Sequence, residues 1–216
     1  KLRDPVFIDS LKNFECDVFI VIAYGKIIPD EILNIPKAKS LNIHGSLLPK
    51  LRGSCPIETA ILNDEKKTGA TIIRMDSEMD HGPIIAMKDV IVEPWPPRAG
   101  VLGNEIVKTG SELLVSILPD WIAGKLPEIE QDHSQATYTK MIQKEDGLMN
   151  LSDDPYKNYL KIQAYHGWPS AFFFVEKDGK KIRVKITQAT FKDGQLIIEK
   201  VIPEGKSEMD YENFAI

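Results

Sequence analysis

Cysteine is nearly missing from this chain: Cys16 and Cys55 are the only two among 216 residues, and they make no CxxC spacing. Two thiols cannot build a disulfide framework, so a reducing compartment is the simpler assumption, and neither is marked as a nucleophile. Long apolar runs are lacking as well. No stretch approaches the roughly 20 residues that a membrane-spanning helix needs, and no secretory leader is visible at the start given, so the cytosol is expected by default and no membrane partner is assigned. The four histidines, His44, His81, His133 and His166, fall into no HxH or HExxH spacing, so no zinc or other metal site is expected. Internal repeats and low-complexity tracts are also missing.

A strong excess of one charge is lacking too. The 27 basic and 32 acidic residues leave a net charge of −5, which argues against wholesale coating of nucleic acid. The balance is uneven, however: residues 155–203 hold nine Lys or Arg against four Asp or Glu, with Lys180, Lys181, Arg183 and Lys185 in one strand-like run. A solvated strand face explains that run as well as contact with a polyanion does. What is present is core material, with 43% hydrophobic and 27% charged residues, enough for one or two globular domains.

Periodicity organises the chain. Residues 17–23 (DVFIVIA) form a continuous apolar run of β-branched and aromatic residues, the pattern of a strand buried on both faces in a parallel sheet. Tyr24 and Gly25 end it, and Pro29 opens a short helix through about Leu33 before a second strand at Leu41. Residues 56–63 read as another helix, and residues 69–75 and 83–92 as two strands joined by the turn DSEMDHG. Between Val101 and Ala123, Ile106, Leu113, Leu114, Ile117, Leu118, Trp121 and Ile122 recur at helical spacing, with Pro119 expected to kink or divide the helix. Periodicity fades over residues 124–143, as in a linker. Then Ser152 to Pro155 start a helix to Ala164, and the turns KDGK and KDGQ separate alternating strands. The resulting division is residues 1–124, an α/β unit; 125–150, a linker; and 151–216, a small antiparallel β unit.

The stretch with most chemistry is residues 40–53, SLNIHGSLLPKLRG. Asn42 and His44 stand two apart, so on a strand they share a face and set an amide beside an imidazole. Gly45, Ser46, Pro49 and the Arg52–Gly53 pair then read as a strand end and a tight polar loop. A lone Asn-x-His is also compatible with a structural histidine whose hydrogen bonds are satisfied. The acidic turn after residues 71–75 supplies carboxylates that could reach back to this strand. Within it, His81 reads as an exposed turn histidine.

NIHGSLLPKLRG followed by MDHGPII resembles the folate-dependent formyltransferase family. The resemblance implies a catalytic group of Asn42, His44 and Asp80, and a folate-holding loop over residues 46–53 that includes Ser46, Leu47, Leu48 and Pro49. Tyr24 and Ile28 would line the same pocket from the first strand end, with ordinary packing as the alternative. QATYTKMIQKEDG, AYHGWPSAFFF and PEGKSEMDYENF are similar to the linker and small barrel of the methionyl-tRNA formyltransferases within that family, whose barrel is OB-like and helps hold tRNA. The implied fold is therefore α/β, a doubly wound, mostly parallel sheet in the formyltransferase fold, N-terminally incomplete, followed by a small OB-like antiparallel β domain. The implied co-substrate is 10-formyltetrahydrofolate, the acceptor is the α-amine of initiator methionyl-tRNA, and the protein is expected to act as a monomer. Asn42 and His44 would stabilise the charge developing on the tetrahedral intermediate, His44 would carry protons, and Asp80 would orient its ring. Two rivals stay open: a sugar-nucleotide N-formyltransferase, and a non-catalytic tRNA-binding remnant.

Overall fold

The computed structural model describes residues 2–177 and 179–215, and the chain divides into two compact units. The first comprises Lys1–Pro56, Lys67–Ile91 and Gly103–Lys140; the second comprises Ile57–Lys66, Val92–Leu102 and Met141–Ile216. Among the described residues, no helix is long and apolar enough to cross a membrane.

The first unit is built on a four-stranded sheet in the order β1 (Phe19–Val21), β2 (Ser40–His44), β3 (Thr68–Arg74), β4 (Ile84–Val90). β1 runs parallel to β2, as expected from a strand, helix, strand order, with α2 (Asp30–Leu33) in the crossover. The β2–β3 and β3–β4 pairs are antiparallel, so the parallel arrangement is confined to the first pair. For β3 and β4 the cause is local: they are joined by the short 75–83 turn, too short for the crossover that parallel neighbours need. The run at residues 17–23 gives only the three paired residues of β1, and it is not buried on both faces: Ile20 is 39% and Ile22 53% exposed. An apolar run is covered only where something packs on it, and among the described residues β1 has one strand neighbour.

Alternation along β2 divides the sheet into two chemically different faces. Leu41 and Ile43 pack with Ile72, Ile85, Leu114 and Trp121 beneath α4 (Ala99–Ile122). Full burial of a side chain such as Leu41 stabilises by about 1.5–3 kcal/mol. Gly110 allows this helix to lie close, because a Cβ there would stand 2.6 Å from Ile43 Cγ2. Asn42 and His44 consequently point to the other face. The helix is not divided at Pro119 and runs on to Ile122: one backbone bond, the one Pro119 cannot donate, is lost, and Ala123 N–H still reaches the Pro119 carbonyl at 3.1 Å. Ile122, at the end of the apolar spacing, is 44% exposed. On the β1 side, α1 (Pro5–Lys12), capped by Asp4, packs Ile8 with Ile28, Ile32 and Leu33. Residues 125–140 are tied to this unit by backbone bridges, Ile129 to Ile84 and Tyr138 to Arg52.

The second unit holds α5 (Pro155–Ala164) and an antiparallel sheet in the order β5 (Phe172–Lys177), β6 (Lys180–Lys192), β7 (Gln195–Pro203), β8 (Met209–Asp210). Its core is Ile162, Phe173, Val184, Ile186 and Val201. Asp193 and Gly194, at φ 52 and 78, make the β6–β7 turn, the left-handed pair that an Asp-Gly hairpin favours. The KDGK turn includes Asp178, which lies outside the described residues. β6 carries register shifts between Ile186 and Ala189, which bend the long strand. Among the described residues the sheet is an open four-stranded meander, with one further bridge from Leu148 to Phe172. The helix α3 (Pro56–Leu62) lies almost wholly in this unit. There Asp64 accepts hydrogen bonds from Trp95 Nε1 at 2.6 Å and the Tyr156 hydroxyl at 2.9 Å, tying three distant segments together.

Candidate active site

β2 ends at His44, and its polar face receives the turn between β3 and β4. Asp80 sits in that turn at φ 51, in the left-handed region that Asp tolerates better than most residues. Gly82, two residues on, lets the turn lie against β3, because a Cβ there would collide with the Arg74 carbonyl. The turn brings Asp80 to both residues of β2: its Oδ1 lies 3.4 Å from Asn42 Nδ2 and its Oδ2 3.5 Å from His44 Nδ1. Oδ2 also accepts the Gly53 backbone N–H at 2.8 Å, the tightest bond to this carboxylate. The structure therefore brings Asn42, His44 and Asp80 together.

The His44 ring is 5% exposed, and its Nε2 is 2.9 Å from the Leu51 carbonyl oxygen. A carbonyl can only accept, so Nε2 carries a proton, and Nδ1 is the ring nitrogen turned toward Asp80.

The loop over residues 46–53 folds back on the same sheet face. Thr71, opposite His44 on β3, donates its hydroxyl to the Ser46 carbonyl at 2.6 Å and accepts the Leu48 N–H at 3.2 Å. Ser46 Oγ donates to the Lys50 carbonyl, and Leu51 N–H reaches Thr137 Oγ1. Ser46 and Leu48 are buried by the loop's own fold, while Leu47 and Pro49 are half-buried. Tyr24 is 48% exposed, whereas Ile28 is spent on the core with Ile8, Ile32 and Leu33.

A buried polar layer beneath the loop was not visible in the sequence. Arg52, which the sequence shows as part of a tight polar loop, is 1% exposed. Its guanidinium donates to Gln131 Oε1 at 3.2 and 2.6 Å, to His133 Nδ1 at 2.8 Å and to the Tyr138 hydroxyl at 3.5 Å. All three partners are neutral acceptors, and the guanidinium's demand fixes His133 with its proton on Nε2. Asp132 caps the short turn that carries His133, and the hydrogen bonds it accepts from the Ser134 hydroxyl and backbone hold its carboxyl below the ordinary value. His133 stacks on His81 with ring centroids 4.1 Å apart, and His81 Nδ1 lies 2.8 Å from Asp76 Oδ2. His81 is therefore half-buried and engaged on both sides rather than an exposed turn residue. A signal for this layer existed only in pieces, as isolated polar residues in a stretch without periodicity.

An amide, an imidazole and a carboxylate converge at the end of a strand in an α/β sheet, with a tight loop folded over them. The formyl transferase family profile matches residues 1–118, more than half of the chain. A methionyl-tRNA formyltransferase of Chloroflexus aggregans is 44% identical over 173 residues, covering 80% of this chain and 56% of that relative. The chain thus spans little more than half the length of this curated relative. Among solved structures, a methionyl-tRNA formyltransferase from Clostridium thermocellum superposes with a TM-score of 0.69 at 24% identity, covering 93% of this chain and 83% of that one. A sugar N-formyltransferase from a Shewanella species does so with a TM-score of 0.69 at 21% identity, covering 89% of this chain and 77% of that one. The chain belongs to the formyl transferase family, and its first unit has the formyltransferase fold.

Proposed function

We propose that this chain carries the reaction centre of a cytosolic enzyme that transfers the formyl group of 10-formyltetrahydrofolate to the α-amine of initiator methionyl-tRNA, for translation initiation. The observation that carries the proposal is the Asp80 carboxylate held between Asn42, His44 and the Gly53 N–H. The amine nitrogen attacks the formyl carbon, a C–N bond forms, and the former carbonyl oxygen takes up negative charge. The Asn42 amide and the His44 imidazole are the donors proposed for that oxygen. The attacking nitrogen then loses its proton, the C–N bond to folate breaks, and the folate nitrogen leaves with a proton. His44 is the group suited to move that proton, since an imidazole can both give and take one, and Asp80 keeps the ring oriented.

The loop of residues 46–53 is the proposed folate cradle, with Leu47, Pro49 and Tyr24 as its accessible side chains; Ser46 and Leu48 shape the loop, and Ile28 acts only through the core. Lys181, Arg183 and Lys185 are the proposed tRNA-facing groups of the second unit. Pairing with Glu176, Phe174 and Phe172 puts the three on one sheet face. There Arg183 stacks 3.7 Å above the Phe172 ring and Lys181 lies 4.4 Å from the Phe174 ring centroid. Phe172 is buried beneath Arg183, so it is the exposed charges of Lys181 and Lys185 that suit a polyanion.

The test is direct. Purified protein, 10-formyltetrahydrofolate and charged initiator tRNA should yield formyl-methionyl-tRNA; formylation of an amino-sugar nucleotide in its place would favour the sugar-acceptor reading.

A further inference from the structure

The Asp80 carboxylate accounts for one side of the turn that bears it; the other side is held by a residue from a different part of the chain. Gln131, 5% exposed, donates both amide hydrogens to backbone carbonyls of that turn, to Asp80 O at 2.9 Å and Gly82 O at 2.7 Å. Its Oε1 accepts two N–H groups from Arg52. Every strong hydrogen-bonding position of the amide is thereby used, and the partners leave its orientation no freedom, because carbonyls must face the NH2 and a guanidinium must face the oxygen. The ring closes on itself: Gly53, next to Arg52, gives its N–H to Asp80 Oδ2. Backbone bonds from Arg52 N–H to the Thr137 carbonyl and from Thr139 N–H to the Arg52 carbonyl anchor the same arginine to residues 137–139.

We infer that Gln131 is a positioning residue, setting where the Asp80 carboxylate stands relative to His44 and Asn42 by clamping the backbone of its turn to Arg52. Gln131 joins two carbonyls of the Asp80 turn to Arg52, whose neighbour Gly53 binds the Asp80 carboxylate, so both polar ends of Gln131 lead to Asp80. A primary amide suits this chemistry: the site needs an acceptor for a buried cation and two donors for the carbonyls of Asp80 and Gly82. Glutamate offers no donors, and methionine offers neither. The consequence for catalysis rests on the function proposed above.

The test separates the placement of Asp80 from activity. Gln131→Glu keeps, and strengthens by charge, the bond to Arg52 while removing both donors to the turn. Amide hydrogen exchange at Gly53 reads the bond to Asp80 Oδ2, with Asp80→Ala as the reference for its loss. In Gln131→Glu the Gly53 amide should exchange about tenfold faster or more, toward that reference, as expected for loss of one charge-assisted hydrogen bond. Amides of β6 and β7 should not change. Gln131→Met, of similar volume and with no strong donor or acceptor, gives the same reading if the introduced carboxylate prevents folding. In formyl transfer, kcat should fall with the folate KM nearly unchanged. Absence of turnover in the parent would count against the proposed function and leave the amide result standing. Gly53 exchange within about twofold of the parent in the folded variants would overturn the positioning role.

Discussion

Asp80→Asn removes a charge while leaving the shape of the site. Asparagine keeps a side-chain oxygen for the Gly53 N–H, so the tightest bond to this side chain is retained. What disappears is the negative charge 3.5 Å from His44 Nδ1. At an effective dielectric of about 20, unit charges at that separation attract by roughly 5 kcal/mol. The Asp80 side chain is 16% exposed, so solvent screening takes a share. If roughly 2–3 kcal/mol of the remainder acts when the His44 ring is charged during proton transfer, kcat falls roughly 30- to 150-fold. Single-turnover formylation of methionyl-tRNA with folate in excess measures that step, and a thermal melt run beside it reports folding. A kcat within about threefold of the parent at an unchanged melting temperature would falsify the role given to the charge. Loss of turnover with a collapsed melting temperature would instead assign the effect to the turn's stability.

Three further outcomes are expected. His44→Ala should lower transfer by about 100-fold or more. Because the ring is buried and its Nε2–H meets the Leu51 carbonyl, it should also lower unfolding free energy by about 1–3 kcal/mol in denaturant titration, and a variant as stable as the parent would contradict that burial. Replacing Lys181, Arg183 and Lys185 with Ala should weaken tRNA binding and flatten its salt dependence by about one unit of log–log slope per phosphate contact, with folate affinity unchanged; an unaltered slope would remove this face from the binding site. Burial first, and then the hydrogen bond and charge of Asp64, push the Tyr156 phenol up to about 12. The folded state thus favours the protonated phenol, so its stabilisation is full below the ordinary value near 10 and is lost as pH rises through 12; Asp64→Asn should bring the phenolate absorbance transition part of the way down.

Elements whose signals are local were legible in the sequence. The helix expected over residues 155–164 is α5, because Asp154 supplies the cap and Pro155 the first-turn preference within consecutive positions. Asp193 and Gly194 announce their hairpin in the same way. The short extent of β1 was not legible, since an apolar run records a capacity for burial and says nothing of what covers it. Nor was the membership of residues 57–66 and 92–102 in the second unit, where Asp64 meets Trp95 and Tyr156, 31 and 92 positions away. No window short enough to show periodicity spans such a separation.

The same division runs through the candidate site. That Asn42 and His44 share a face follows from a period of two, and the apolar Leu41 and Ile43 between them decide which face is left for chemistry. The choice of Asp80 among the acids of its turn came from family resemblance, because a turn has no period from which an orientation could be read. Arg52 is the sharpest case. An arginine beside a glycine reads as an exposed loop cation, since nothing near it in sequence can compensate burial. Its acceptors, Gln131 and His133, lie 79 and 81 positions on, in a stretch that reads as linker because it has no amphipathic pattern. Yet a segment that ends buried polar groups has reason to lack such a pattern: it presents hydrogen-bonding side chains singly, wherever a donor or carbonyl needs one. Loss of periodicity therefore distinguishes poorly between a free tether and a strap that completes a site. What separates them is whether an amide such as that of Gln131 has all of its bonds made, which only the folded arrangement reveals.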